Sequence, residues 1–203
     1  MKAKPFSPFT WPHVGRQWPE YNIWSPQAEG LVAWWPMLGD QNSWPVRDLA
    51  SKRFPMTPFN SPTWVADGER GWSVLFNDAA SEYLEVSSTP VIATPLTMVC
   101  WFYVDDVSPI QDFFSLADAG SFNNYISLGL GGNPRDNLQL ARRDADTNDT
   151  LLSANTTLNT WHHACAVLSA DNDATLFLRL INPTIAISIV DIGGKFHVLI
   201  ATP

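Results

Sequence analysis

The sequence predicts an all-β protein, an antiparallel sandwich or jelly roll, and three observations carry that prediction. Short apolar runs rich in β-branched and aromatic residues recur at a spacing of roughly ten residues. Clusters of Gly, Pro, Asn and Asp punctuate them. No amphipathic pattern of helical period is sustained over three turns. Many strands without helices leave a sandwich or a jelly roll, and the chain has no internal repeat of the kind a propeller or solenoid would show.

Residues 1–27 stand apart. Pro5, Pro8, Pro12, Pro19 and Pro26 alternate with Phe6, Phe9, Trp11, Trp18, Tyr21 and Trp24. Proline at that density forbids helix and central strand and favours an extended, polyproline-like arm. Such an arm either lies over its own domain or docks on another subunit. The β domain is expected over residues 28–203. Its first apolar run, residues 31–35, is stopped by Pro36. Further strands are expected over 72–76, 83–86, 96–104, 110–116, 125–130, 137–141, 161–168 and 174–180. Turns are expected at Asn77-Asp78, at Gly131-Gly132-Asn133-Pro134 and at Asp171-Asn172-Asp173.

Composition narrows the function. A chain of 203 residues with 45% hydrophobic and 16% charged residues is not disordered. At this length about 70% of the unfolded surface is buried, enough for a core without further support. Lys and Arg number 12 against 20 Asp and Glu, a net charge of −8. That balance disfavours nucleic acid and anionic membrane surfaces as partners. No apolar stretch reaches the roughly 18 residues of a membrane span. The N-terminus starts basic but breaks into Pro, Trp and His, which reads as a poor secretory signal.

Few residues are placed for catalysis. Hydrolysis on a β-sandwich needs paired carboxylates across the scissile bond, and the glutamates are only Glu20, Glu29, Glu69, Glu82 and Glu85. Glu82 and Glu85 are three apart, so along a strand they point to opposite faces. The adjacent His162 and His163 would likewise point to opposite faces and could not chelate one ion. No Gly-x-Ser-x-Gly elbow accompanies them. Asp144-Ala145-Asp146-Thr147-Asn148 begins like a calcium loop. It fails at Asp149, where glycine is needed, and at Asn155, where a bidentate glutamate is needed, so a solvated hairpin tip is expected. The sequons at Asn148 and Asn155 read as chance without a signal peptide. The chain is expected not to be an enzyme, a decayed glycoside hydrolase being the one enzymatic alternative. Cys100 and Cys165 both fall mid-strand. The residues themselves leave open two readings, free buried thiols or a bridge that would stabilise by about 4 kcal/mol in the chain-entropy model.

Several landmarks occur in a familiar order. Gly30-Leu31-Val32-Ala33-Trp34-Trp35-Pro36, Asp48-Leu49-Ala50, Ser73-Val74-Leu75-Phe76-Asn77 with Tyr83-Leu84-Glu85-Val86, Leu96-Thr97-Met98-Val99-Cys100-Trp101 and Asn159-Thr160-Trp161-His162-His163 together resemble the LamG-like jelly-roll domains of the concanavalin A-like lectin/glucanase superfamily. The resemblance covers residues 28–178 and implies a two-sheet antiparallel jelly-roll sandwich, with a jelly-roll domain over residues 28–203. Pentraxins, of the same superfamily, carry a cysteine pair on the corresponding strands, which implies contact between Cys100 and Cys165. They also bind calcium partly through an Asp-Asn dipeptide, where this chain has Asn123-Asn124. Calcium is thus an implied cofactor, weakened by the lost carboxylate because ligand charge sets calcium affinity. After Leu178 the family's closing strand motif is absent. The sheet is expected either to lack its last strands or to fill their place with unrelated sequence, leaving residues 185–190 as an open edge.

The resemblance implies a non-catalytic binding or adhesion module recognising carbohydrate or a protein surface, extracellular or virion-associated. The alternative is a structural component of a phage or surface assembly docked through residues 1–27.

Overall fold

β-Branched and aromatic side chains favour extended backbone, where they pack on a pleated surface. That preference is realised along the described residues. In the computed structural model every regular element among the described residues is a strand, apart from one 3-10 turn at Asp78–Ala80. The structure describes residues 30–37, 44–67, 71–88, 90, 93–107, 110–117, 124–131, 136–144, 147–170, 173–180 and 187–190. The arm expected over residues 1–27 lies outside them. The chain divides into two compact units, within residues 1–90 and 91–195, each described by itself.

The second unit is a two-sheet antiparallel sandwich. Its strands are β5 (Leu96–Val104), β6 (Gln111–Ala117), β7 (Asn124–Gly131), β8 (Asn137–Asp144), β9 (Thr147–Asn155), β10 (Thr160–Ala170), β11 (Asp173–Leu180) and β12 (Ile187–Val190). The chain enters one sheet with β5 and crosses to build the meander β6-β7-β8-β9. It then returns to build β10, β11 and β12, giving the sheet order β12-β11-β10-β5. First and sixth strands of the unit thereby become neighbours.

The period of two along each strand sorts side chains into an inner and an outer set. From β5 the inner set is Met98, Phe102 and Val104, and from β10 it is His162, Ala164, Ala166 and Leu168, all buried. They meet Leu128 and Leu130 of β7, Leu138 and Leu140 of β8, and Leu176 and Leu178 of β11 in one core. Phe102 lies between Phe113 and His162, with ring centroids at 4.0 and 5.1 Å. The small residues of β10 let these larger groups interdigitate. The pairing of β6 with β7 shifts register between Asp112 and Phe114, and the two backbones approach closely beside it. A Cβ on Gly129 would sit 2.1 Å from the Gln111 carbonyl oxygen, so only glycine fits there.

The first unit has less regular structure: β1 (Thr57–Phe59) pairs with β4 (Tyr83–Glu85), and β2 (Thr63–Asp67) pairs with β3 (Gly71–Leu75). Its buried apolar residues are Val46, Phe54 and Trp64. The apolar run at 31–35 joins no sheet, contrary to expectation. Its backbone is taken instead by a turn around Asp48. The Trp34 amide donates to Asp48 Oδ1, the Leu49 amide donates to the Trp34 carbonyl, and Trp35 Nε1 donates to the Phe54 carbonyl. Glu82 accepts from the Asn77 amide at 2.7 Å, closing the turn before β4, while Glu85 is exposed on the strand.

The expected strand at 96–104 matches β5, and the expected hairpin tip falls between β8 and β9, whose pairing closes at Asp144 and Thr147. β1, β2 and β9 were not signalled by apolar runs. Beyond Leu180 the backbone supplies β12, paired from Leu176 opposite Val190 to Arg179 opposite Ile187. Unrelated sequence therefore does provide a strand beside β11. Residues 191–203 lie outside those described.

Candidate binding surface

The outer set of β5 is Thr97, Val99, Trp101 and Tyr103, and that of β10 is Trp161, His163, Cys165 and Val167. The register places Tyr103 opposite Trp161, Trp101 opposite His163 and Val99 opposite Cys165. Outward-facing side chains of antiparallel neighbours touch across the strands. Here Tyr103 and Trp161 meet at 5.7 Å with their planes tilted by 60°, and Trp101 and His163 meet at 4.9 Å with a tilt of 58°. Val99, Trp101 and Tyr103 remain 52%, 52% and 48% exposed. The Tyr103 hydroxyl donates to Asn159 Oδ1 at 3.4 Å, at the end of the strip. The described outer side chains of β5 and β10 carry no Asp, Glu, Lys or Arg. The result is an uncharged strip of tilted rings on a rigid sheet.

The two adjacent histidines divide as strand geometry requires. His162 is wholly buried, and its Nε2 donates to the Thr157 carbonyl at 2.8 Å. Its Nδ1 is buried without a partner. His163 lies outward against Trp101. The two rings do not share an ion.

Cys100 and Cys165 are on neighbouring strands, but the thiol contact implied by the resemblance is not formed. Cys100 is opposite Ala164 and Cys165 is opposite Val99, so a one-residue offset puts the two side chains on opposite faces of the sheet. Both are free cysteines. Burial pushes the Cys100 thiol from 9.0 up to about 12, with the nearby Cys165 adding to the push, and burial also raises Cys165. A thiol near 9.0 in the unfolded chain ionises while Cys100 in the folded chain does not. Its contribution to stability is therefore full below pH 9.0 and is lost as the pH rises towards about 12. At pH 10 the loss relative to pH 8 should be about 1.4 kcal/mol. Urea unfolding of wild type and Cys100→Ala at the two pH values checks this: the wild type should lose that much more than the variant.

Among the described residues no group of three or more His, Cys, Asp or Glu could hold a metal ion. Of the implied calcium residues, Asn124 begins β7 opposite Asp144, and Asn123 lies outside the described residues. On the other sheet Asp112 reaches over Gly129. Burial raises its carboxyl, and a hydrogen bond with Ser127 opposes the rise. No helix among the described residues is long and apolar enough to cross a membrane.

Sequence reasoning found the strands that carry the aromatic strip but not the strip itself. Both faces of LTMVCWFYV are apolar, so alternation alone does not say which set faces the core. The chain matches no family model, no curated protein and no solved structure.

Proposed function

We propose that this protein is a non-catalytic binding module that takes neutral carbohydrate on the outer face of β5 and β10. The observation that carries this reading is the exposure of Val99, Trp101 and Tyr103 in one uncharged row. Leaving these side chains half in water forgoes part of the roughly 1.5 to 3 kcal/mol that full burial of each would give, and contiguous exposed apolar surface of this kind marks an interaction site. Sugar rings offer apolar C–H faces that cover an indole or phenol, while their hydroxyls need polar groups at the rim. Asn159 and the Tyr103 hydroxyl supply such groups. The net charge of −8 disfavours acidic glycans. The resemblance to LamG-like domains points the same way.

Affinity electrophoresis through gels containing neutral polysaccharides tests the proposal. The wild type should be retarded by at least one of them, and Trp101→Ala should weaken that binding by about tenfold or more, the loss of one buried ring. Trp101 is half exposed, so the variant should keep its fold. No retardation in any gel, or equal retardation of the variant, would overturn the reading.

A further inference from the structure

β5 forms one edge of its sheet. It pairs with β10 from Leu96 opposite Leu168 to Val104 opposite Thr160 without a register shift, and among the described residues it pairs with no other strand. Natural edge strands are protected by charge, proline, bulges or shortness, because an open row of amides and carbonyls recruits another strand. The other edges of the sandwich carry such devices. β6 has its register shift at Asp112, β9 carries Asp149 and faces a shift in its pairing with β8, and β12 has four residues. β5 has nine residues, LTMVCWFYV, and none of the four devices.

We propose that the edge of β5 that no described strand covers pairs antiparallel with β5 of a second copy of this chain, about a two-fold axis at Cys100. The register follows from geometry. Inner residues must face inner residues across the joint, so the axis has to pass at a residue and not between two. Full overlap of the nine residues then places it at Cys100. Leu96 would lie opposite Val104 of the second copy and Met98 opposite Phe102, continuing the inner face. Thr97 would lie opposite Tyr103 and Val99 opposite Trp101, pairing β-branched with aromatic side chains on the outer face, a favourable cross-strand combination.

Charge selects the same arrangement. β5 itself carries none, and its acidic flank Asp105-Asp106 would face Pro95 and Thr94 of the other copy. A parallel pairing would set the four carboxylates side by side. The interface is isologous and closes on itself as a dimer. It would also bring two aromatic strips onto one continuous surface.

Sedimentation of the full chain over a rising concentration series tests this, with no ligand present. Wild type should move from the 22.6 kDa monomer to twice that mass. Val99→Lys and Thr97→Lys each place ammonium groups on both sides of the axis on exposed positions, and both should remain monomeric with unchanged circular dichroism. Leu152→Lys, exposed on β9, should dimerise as the wild type does. A wild type that stays monomeric throughout overturns the proposal. So does a folded Val99→Lys or Thr97→Lys that dimerises like the wild type. Should Val99→Lys fail to fold, Thr97→Lys decides alone. Neither result depends on glycan binding.

Discussion

Asp48→Ala should lower the stability of the first unit by about 3 to 5 kcal/mol, the largest effect expected of any polar substitution among the described residues. Asp48 is 2% exposed, and its two oxygens accept from the amides of Trp34, Ala50, Ser51 and Arg53 and from the Ser51 hydroxyl. Removing the carboxylate leaves these donors facing one another with no acceptor. Burial alone would raise the Asp48 carboxyl, but the Ser51 hydroxyl and the amides of Trp34, Ala50 and Ser51 outweigh it and hold it below the ordinary 3.8. A depressed carboxyl contributes its stability above the unfolded value and loses it as the pH falls through the folded one. The gap between wild type and Asp48→Asn should therefore be full at neutral pH and close as the pH drops below 3.8. Urea unfolding followed by indole fluorescence, with Trp34 and Trp35 beside the turn, measures both effects. A neutral-pH gap under about 1 kcal/mol would show that water replaces the lost acceptor.

Phe102→Ala should cost the second unit about 3 to 5 kcal/mol, the range for truncating a buried aromatic. The ring is clamped between Phe113 and His162, both anchored on strands, so the surrounding core has little freedom to collapse into the gap. Phe102→Leu refills much of the volume and should cost less than half as much. Thermal unfolding should show the alanine variant melting on the order of 10 °C lower. Equal losses for the two variants would mean that stacking, and not volume, sets the cost.

The sandwich was legible where one strand carries its own boundaries. β5 is framed by Pro95 and Asp105 and was readable from its β-branched and aromatic content, and β10 is framed by Asn159 and the turn residues from Asp171. β9 was not. Thr147, Asn148, Asp149 and Thr150 read as loop, because an outer strand of a sheet tolerates polar side chains that a central strand excludes. Residues 31–35 failed in the opposite sense. Their apolar content suggested a strand, yet the Asp48 carboxylate competes for the Trp34 amide and wins it. The site was legible only in part. That Trp101 and Cys100 face opposite ways follows from alternation. That Trp101 faces out, and that Cys165 is offset by one from Cys100, depends on long-range register, which no local signal encodes.

The contrast between the two units bears on temperature. Among the described residues the first holds a polar knot around Asp48 beside the buried Val46, Phe54 and Trp64, whereas the second holds a layered core of Leu, Ala and Phe. Exposing apolar surface raises heat capacity on unfolding and exposing polar surface lowers it. On the described residues the first unit should therefore have the shallower stability curve, and the second the more sharply arched one. Cooling erodes the packing of the sandwich faster than it loosens the knot, because the hydrophobic driving force fades in cold water while hydrogen bonds do not. The sandwich, with the thicker core among the described residues, should thus be the part more exposed to the cold.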